Sequence, residues 1–179
     1  MGFRVSAGFL SSEDLDMNDD RYDEISNLDH DPGTATALGN MIVSWSKAEA
    51  MLCMCMAEVM AIHPDKAILI FSRVPNLESK IKMLSSLLEA WDNPKNLNKE
   101  DIVQCICSLS KLSKTRNDWV HCLWAKHART KRTVIVDDRK QPGNRLTIVH
   151  ENAVKNHNAA VNEQTEKLIA LVPGYILPD

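Results

Sequence analysis

Residues 102–127 read IVQCICSLSKLSKTRNDWVHCLWAKH, and the spacing of the apolar side chains in this stretch decides the fold. Those side chains recur at steps of three and four along one face: Ile102, Ile106, Leu109, Val120 and Leu123. The two places between Leu109 and Val120 are taken by Ser113 and Arg116. This period, with a capping sequence NKED that begins at Asn98, predicts a long helix from about Asn98 to His127.

Four other segments show the same helical period, and their ends are marked by capping residues or proline. The first begins at a cap, Thr34 or Thr36, and carries Glu49 at one position of its apolar face. It ends near Pro64, because proline disfavours helical geometry in the preceding residue. The others are a short helix over residues 65–74, a third that Asn76 caps and that runs to about Trp91, and a last one over about 151–172.

Between the fourth and last helices the period changes from that of a helix to that of a strand. The segments TVIV (133–136) and LTIV (146–149) flank the loop DDRKQPGNR, whose Pro142-Gly143-Asn144 favours a reversal. We therefore predict an all-α fold, an up-down bundle of four to five helices with a small β-hairpin at about 133–149, inserted before the last helix. The helical domain would span residues 34–179.

The net charge of −3 is unevenly distributed. Residues 1–33 hold nine acids and two bases, a net charge of −7, whereas the 35 residues from Lys111 to Arg145 hold ten bases and three acids, a net charge of +7. The acidic segment lacks an apolar period and ends in the turn sequence Asp31-Pro32-Gly33, so it is predicted to be a poorly ordered tail. Two roles are open for it: a solubilising leader, or a negative arm that covers the basic face.

Composition excludes several classes of protein. The apolar stretches fall short of the roughly 20 residues that cross a membrane, and five cysteines without a preceding apolar leader indicate a cytoplasmic protein with reduced thiols. The pairs Cys53/Cys55 and Cys105/Cys107 lie two residues apart, so on a helix they point about 200° apart and do not chelate one metal from one face. We expect neither a metal nor a cofactor.

Two charges interrupt otherwise apolar helix faces, Glu49 in the first helix and Arg116 in the fourth. Burying a lone ion costs several kcal/mol, so both side chains need partners. Because the first and fourth helices run parallel in an up-down bundle, we predict a Glu49–Arg116 contact. The alternative is that Arg116 extends to solvent while Glu49 lies at the edge of the bundle.

Arg116 is followed directly by Asn117 and, five residues on, by His121, with Trp124 one turn later and a basic stretch after it. This arrangement, late in a long helix of an all-helical bundle, resembles the HEPN superfamily, helical domains of higher eukaryotes and prokaryotes that bind nucleotides. The resemblance covers about residues 38–127 and the last helix. It implies a prokaryotic, metal-independent endoribonuclease that acts as a homodimer on RNA, as a toxin paired with an antitoxin or as a phage-defence effector.

Each residue of the motif suits a step of RNA cleavage by the 2′-hydroxyl. The imidazole of His121 can transfer a proton near neutral pH, Arg116 can hold phosphate oxygens, and Asn117 can orient the imidazole or contact the sugar. On an ideal helix, however, Arg116 and His121 lie about 140° apart. A second protomer, whose contact would also cover Trp124 and Trp119, is one solution to that separation.

A basic run is the predicted RNA path, with an ordinary solvated surface as the alternative: Lys114, Lys126, Arg129, Lys131 and Arg132. His127 and His150 are weaker candidates for phosphate contacts, and Trp119 and Trp124 are predicted to serve packing rather than base stacking. Two other functions remain open. One is a module that binds RNA or a nucleotide without cutting it, and the other is a helical adaptor with His121 in its interior.

Overall fold

The computed structural model describes residues 22–25, 28–140 and 145–173. These residues are mostly helical and include one small antiparallel sheet, so the predicted helical fold with a small β element is confirmed. The helices are α1 (Pro32–Met60), α2 (Pro64–Arg73), α3 (Leu77–Glu89), α4 (Lys99–His121) and α5 (Glu151–Leu171), and the strands are β1 (Tyr22–Ile25), β2 (Leu123–His127), β3 (Thr133–Val136) and β4 (Leu146–Ile148).

Two of the predicted helix caps are confirmed by their hydrogen bonds. The Asn76 Oδ1 atom accepts from the Ser79 amide at 2.8 Å and opens α3. Asn98 does the same for the Asp101 amide at 3.2 Å, and α4 begins at the next residue. Both side chains satisfy an amide that has no partner within its own helix.

The start of α1 was predicted wrongly. Thr34 and Thr36 lie inside the helix, which begins at Pro32, and the cap is Asp31, whose Oδ1 accepts from the Thr34 amide at 3.0 Å. Proline is favoured at the first helical position because it lacks an amide hydrogen that would have no partner there. The sequence Asp31-Pro32-Gly33 is therefore a helix start, not the turn that ends a tail.

The end of α4 also differs from the prediction. The helix ends at His121, and residues 123–127 form β2 rather than its last turns. β2 pairs antiparallel with β3, with Leu123 opposite Val136 and Lys126 opposite Thr133. The predicted hairpin of β3 and β4 is present, with Val134 opposite Ile148. Its Pro142-Gly143-Asn144 reversal lies outside the described residues.

The acidic N-terminal segment contributes the fourth strand of this sheet. β1 pairs antiparallel with β2, which gives the strand order β1-β2-β3-β4. The prediction of a poorly ordered tail as far as residue 33 is thus wrong for residues 22–25 and for the cap and first turn of α1. Residues 1–21, 26 and 27 lie outside the described part of the chain.

The chain divides into two compact units, each built from separate stretches of sequence. The first takes in residues up to 41 and 117–157, and the second takes in 42–116 and the residues from 158 onward. The helices α1, α4 and α5 each pass from one unit into the other.

The first unit contains the sheet, and its core lies around β3. All four residues of β3 are buried, and Val134 and Val136 pack with Ala125 of β2 and with Leu146 and Ile148 of β4. A polar cluster joins this sheet to the start of α1: the Thr133 hydroxyl donates to Asp31 Oδ2 at 2.7 Å, and the Thr34 hydroxyl donates to the same oxygen at 2.8 Å.

The second unit is helical and has an apolar core. Its buried side chains include the methionines Met51, Met54 and Met56. The other buried side chains of this core include Trp45, Leu52, Leu84, Leu88, Ile102, Ile106, Leu109, Val161 and Leu168. The buried carboxylate of Glu58 is paired with Lys95 at 2.8 Å. No helix within the described residues combines the length and apolar character needed to cross a membrane.

Candidate functional site

The predicted catalytic residues lie at the end of α4. Asn117 and His121 are both exposed, and His121 is the last residue of the helix. They are four residues apart, which on a helix places them about 40° from each other on neighbouring turns. The structure therefore puts an amide and an imidazole side by side on an open surface, and His121 is not the interior residue that a helical adaptor required.

Arg116 lies on another side of the same helix. It is half-buried and its Nε atom is inaccessible to solvent, and because α4 continues to His121, about 140° of rotation separates the two residues. The predicted ion pair with Glu49 stays a prediction. Glu49 is paired with Lys80 of α3, whose Nζ donates to Glu49 Oε2 at 2.9 Å.

An arginine that the sequence analysis did not single out reaches the last turn of α4. Arg139, in the β3–β4 loop, makes a bidentate contact with Asp137, from Nε to Oδ1 at 2.7 Å and from Nη2 to Oδ2 at 3.0 Å. Its Nη2 also donates to Asp118 Oδ1 at 3.3 Å, and Asp118 stands one turn before His121. We call Asp137, Arg139 and Asp118 the loop clasp.

In the loop clasp, the contact with Asp137 holds the Arg139 guanidinium in a fixed position, while the Nη1 atom has no hydrogen bond to a described residue. The Asp137 side chain is buried, and its hydrogen bonds with Arg139 hold the pKa of that carboxyl below its ordinary value of 3.8. A guanidinium held in this way can offer its remaining donors to an anion without first losing conformational freedom.

The signal for the loop clasp lies in the strand register. Leu123 pairs with Val136, so the loop that follows β3 must leave the sheet at the end where α4 enters β2. At that point, an aspartate and an arginine two residues apart, Asp137 and Arg139, can form the observed bidentate contact. The loop clasp was not predicted, because residues 123–127 were assigned to α4.

The predicted RNA-binding lysines and arginines do not gather around His121. Lys126 lies in β2, and Arg129, Lys131 and Arg132 lie in the turn between β2 and β3, where all three are exposed. We call residues 129–132 the basic turn. It begins beyond the far end of a five-residue strand, and such a strand spans about 13 Å. Lys114 lies on α4, seven residues before His121 and on nearly the same side of the helix.

The basic turn is held in place by His127, which was predicted as a weak phosphate contact. His127 is only 2% exposed, so that prediction is wrong. Its Nδ1 atom accepts from the Thr130 amide at 3.1 Å, and its carbonyl accepts from the Lys131 amide at 2.9 Å. His127 thus fixes the backbone of the turn instead of contacting a ligand, whereas His150 is exposed at the start of α5.

The two tryptophans beside the motif serve packing. Trp119 is 8% exposed and meets the ring of His157 edge to face, with centroids 5.1 Å apart. The indole of Trp124 donates to the Trp119 carbonyl at 2.7 Å. Trp119 therefore does not need a second protomer to cover it.

Comparison with models of protein families, with curated proteins and with solved structures finds no match for this chain. The described residues hold no group of three or more His, Cys, Asp or Glu side chains arranged around a common metal position.

Proposed function

We propose that this protein is a metal-independent endoribonuclease of the HEPN type that cleaves single-stranded or looped RNA. The observation that carries the proposal is the exposed pair of Asn117 and His121 at the end of α4, next to a carboxylate that Arg139 contacts at 3.3 Å. Without Arg139, Asp118 would present a negative charge one turn from the imidazole and repel a phosphate. The loop clasp reduces that repulsion.

In the proposed reaction, the ribose 2′-oxygen attacks the adjacent phosphorus and the bond from phosphorus to the 5′-oxygen breaks. The products are a 2′,3′-cyclic phosphate and a 5′-hydroxyl. A base accepts the proton of the 2′-hydroxyl and an acid supplies a proton to the leaving 5′-oxygen. Neutral His121 fits the first role, and Asn117 can hold its ring in the reactive orientation.

The proton for the leaving 5′-oxygen and the extra negative charge on phosphorus need further groups. We propose that two up-down bundles form a homodimer and that these groups come from both copies. The protonated His121 of a second copy would serve as the acid, and Arg116 of either copy would hold the phosphorane oxygens. The basic turn would bind a more distant stretch of the same RNA through its phosphates, with strong salt dependence. A toxin with an antitoxin partner, or a phage-defence effector, is the cellular setting that we propose with this activity.

The test compares His121→Ala with His63→Asn, a substitution at another exposed histidine that keeps a side chain able to cap α2. Purified protein and end-labelled RNA are incubated with a chelator. We expect wild type and His63→Asn to give fragments with 2′,3′-cyclic phosphate ends, and His121→Ala to be at least about 100-fold slower. RNA with a single 2′-deoxynucleotide should resist cleavage at that position. Equal cleavage by His121→Ala would remove His121 from the mechanism.

A module that binds RNA without cutting it is the second candidate, and one observation favours it. The positive charge of Arg139 is already shared between two carboxylates, while the exposed cations of the basic turn lie at the other end of β2. Binding of RNA without products, abolished by Arg129→Gln and Arg132→Gln but unaffected by His121→Ala, would support this candidate.

A further inference from the structure

The register of β1 places the N-terminal chain at the basic turn. β1 and β2 are antiparallel, with Tyr22 opposite His127 and Ile25 opposite Ala125. The first residue of β1 therefore lies beside the last residue of β2, and the basic turn begins two residues later. Whatever precedes Tyr22 in the sequence starts from this end of the sheet.

The residues that precede Tyr22 carry the charge that complements the turn. Five acids fall within residues 13–20, Glu13, Asp14, Asp16, Asp19 and Asp20, and no base lies among them. Consecutive residues span at most about 3.5 Å each, so Asp19 and Asp20 can lie no more than about 11 Å from Tyr22. Exposed charges farther apart than a Debye length are largely screened, and that length is about 8 Å at physiological ionic strength and about 30 Å at 0.01 M, so the attraction between these acids and the turn is strongest at low salt.

The basic turn is suited to receive an acidic segment because its backbone is already ordered. The side chain and backbone of His127 hold the amides of Thr130 and Lys131, and Lys131 adopts a left-handed conformation with φ of 57°. Three exposed cations within four residues are thus presented on a fixed loop. At the opposite end of the sheet, Arg139 is paired with Asp137 and Asp118.

We infer that residues 13–20 of this chain bind the basic turn in cis and compete there with polyanionic ligands. The contact consists of several exposed ion pairs, each of them weak, and it weakens further as salt rises. The competition with RNA rests on the proposed function, whereas the contact between the acidic segment and the turn does not. In an RNA-cleaving protein this contact would favour long or highly charged substrates that displace the segment.

The first experiment maps the contact in the full-length protein without any ligand. A zero-length carbodiimide reagent joins a carboxylate to an amine only where the two groups meet, and the joined peptides are identified by mass spectrometry. We expect Lys131 to be joined to residues 13–20. The matched control is Lys140, an exposed lysine at the opposite end of the same sheet. Equal yields at Lys131 and Lys140, or no product at Lys131, would overturn the inference.

The second experiment measures competition with two polyanions, heparin and a uridine 20-mer. In the full-length chain the five acids are neutralised by Glu13→Gln, Asp14→Asn, Asp16→Asn, Asp19→Asn and Asp20→Asn, which leaves β1 intact. We expect both ligands to bind about tenfold more tightly at low salt, and this gain to vanish when Arg129, Lys131 and Arg132 are changed to glutamine. An unchanged affinity would contradict the inference. A cross-link at Lys131 together with RNA that is never cleaved would instead overturn only the proposed nuclease.

Discussion

Among single side chains, His157 has an environment that should make folding depend on pH. Burial beside Trp119 lowers the pKa of His157 to about 4, whereas an unfolded histidine titrates near 6.5. Between these two values the unfolded chain binds one more proton at this site than the folded chain does, so acid favours unfolding. The contribution of neutral His157 to stability is complete above pH 6.5 and is lost progressively as the pH falls toward 4.

This dependence can be separated from that of the carboxyl groups. Asp31 and Asp137 have pKa values below 3.8 in the folded protein, so their stabilisation persists above that value and is lost in stronger acid. We expect the melting temperature of wild type to rise between pH 4 and 6.5, and the rise to be smaller in His157→Gln. His150→Gln, at an exposed histidine seven residues earlier, should behave like wild type. Equal pH profiles for all three proteins would contradict the assignment.

Two of the five cysteines should differ sharply in reactivity. Burial raises the pKa of Cys55 to about 12, and the carboxylate of Glu58 adds to the effect. At pH 8 about one thiol in ten thousand would then be ionised, whereas Cys107 is exposed on α4. In a time course with iodoacetamide, followed by peptide mass spectrometry, Cys107 should be alkylated first and Cys55 only after denaturation. Similar rates at both positions in the folded protein would show that the core around Cys55 opens readily.

At the residue scale, the candidate site could be predicted only where its geometry is local. The position of His121 relative to Asn117 follows from helical spacing, and so does its separation from Arg116. The contact of Arg139 with Asp118 joins residues 21 positions apart and depends on the pairing of β2 with β3, which no local pattern contains. The same holds for the Lys80 partner of Glu49.

At the scale of the elements, the helices were predictable and two strands were not. Residues 123–127 continue the apolar period of α4 through Leu123, and their β conformation depends on neighbours on both sides, β1 and β3. β1 has the sequence YDEI, in which two consecutive acidic residues interrupt the alternation of apolar and polar residues that identifies a strand. Strand formation depends on such cross-strand partners, whereas helix caps depend on neighbours in sequence, so Asn76 and Asn98 were identified correctly.

The polar cluster between α1 and β3 yields a prediction at this scale. Burial would raise the pKa of Asp31, yet hydrogen bonds from Thr133 and Thr34 and the nearby His30 lower it. Because the ionised carboxylate accepts the Thr133 hydroxyl hydrogen, the His30 Nε2 atom, 3.2 Å from that hydroxyl, must act as donor. Replacing Thr133 by valine removes the hydroxyl that bridges the two side chains.

We expect Thr133→Val to lower the free energy of unfolding by about 1–3 kcal/mol, because it deprives a partly buried carboxylate of one hydrogen bond. The matched control is Thr147→Val in β4, which is also a threonine of this sheet and is only half-buried. That substitution should change the free energy by no more than about 0.5 kcal/mol. Urea titrations at pH 7 measure both values. An equal effect of the two substitutions would mean that the cluster does not stabilise the start of α1.

For the whole molecule, the division into two units raises the question of whether they unfold separately. α1, α4 and α5 contribute residues to both units, so the backbone crosses between them three times inside a helix. The first unit holds only 10 residues of α1, 5 of α4 and 7 of α5, and helical segments this short are not stable by themselves in water. The first unit should therefore depend on the second through these shared helices, and we expect unfolding to be a single transition.

The tryptophans allow this to be measured, because two lie in each unit: Trp45 and Trp91 in the second, Trp119 and Trp124 in the first. In Trp45→Phe/Trp91→Phe the fluorescence reports only the first unit, and in Trp119→Phe/Trp124→Phe only the second. Within each variant, we expect the urea midpoint from fluorescence to coincide with the midpoint from far-ultraviolet circular dichroism, which reports all five helices. This comparison is made inside one variant, so a loss of stability caused by the substitutions does not affect it. In either variant, a fluorescence midpoint at a lower urea concentration than the circular dichroism midpoint would show that the shared helices do not couple the two units.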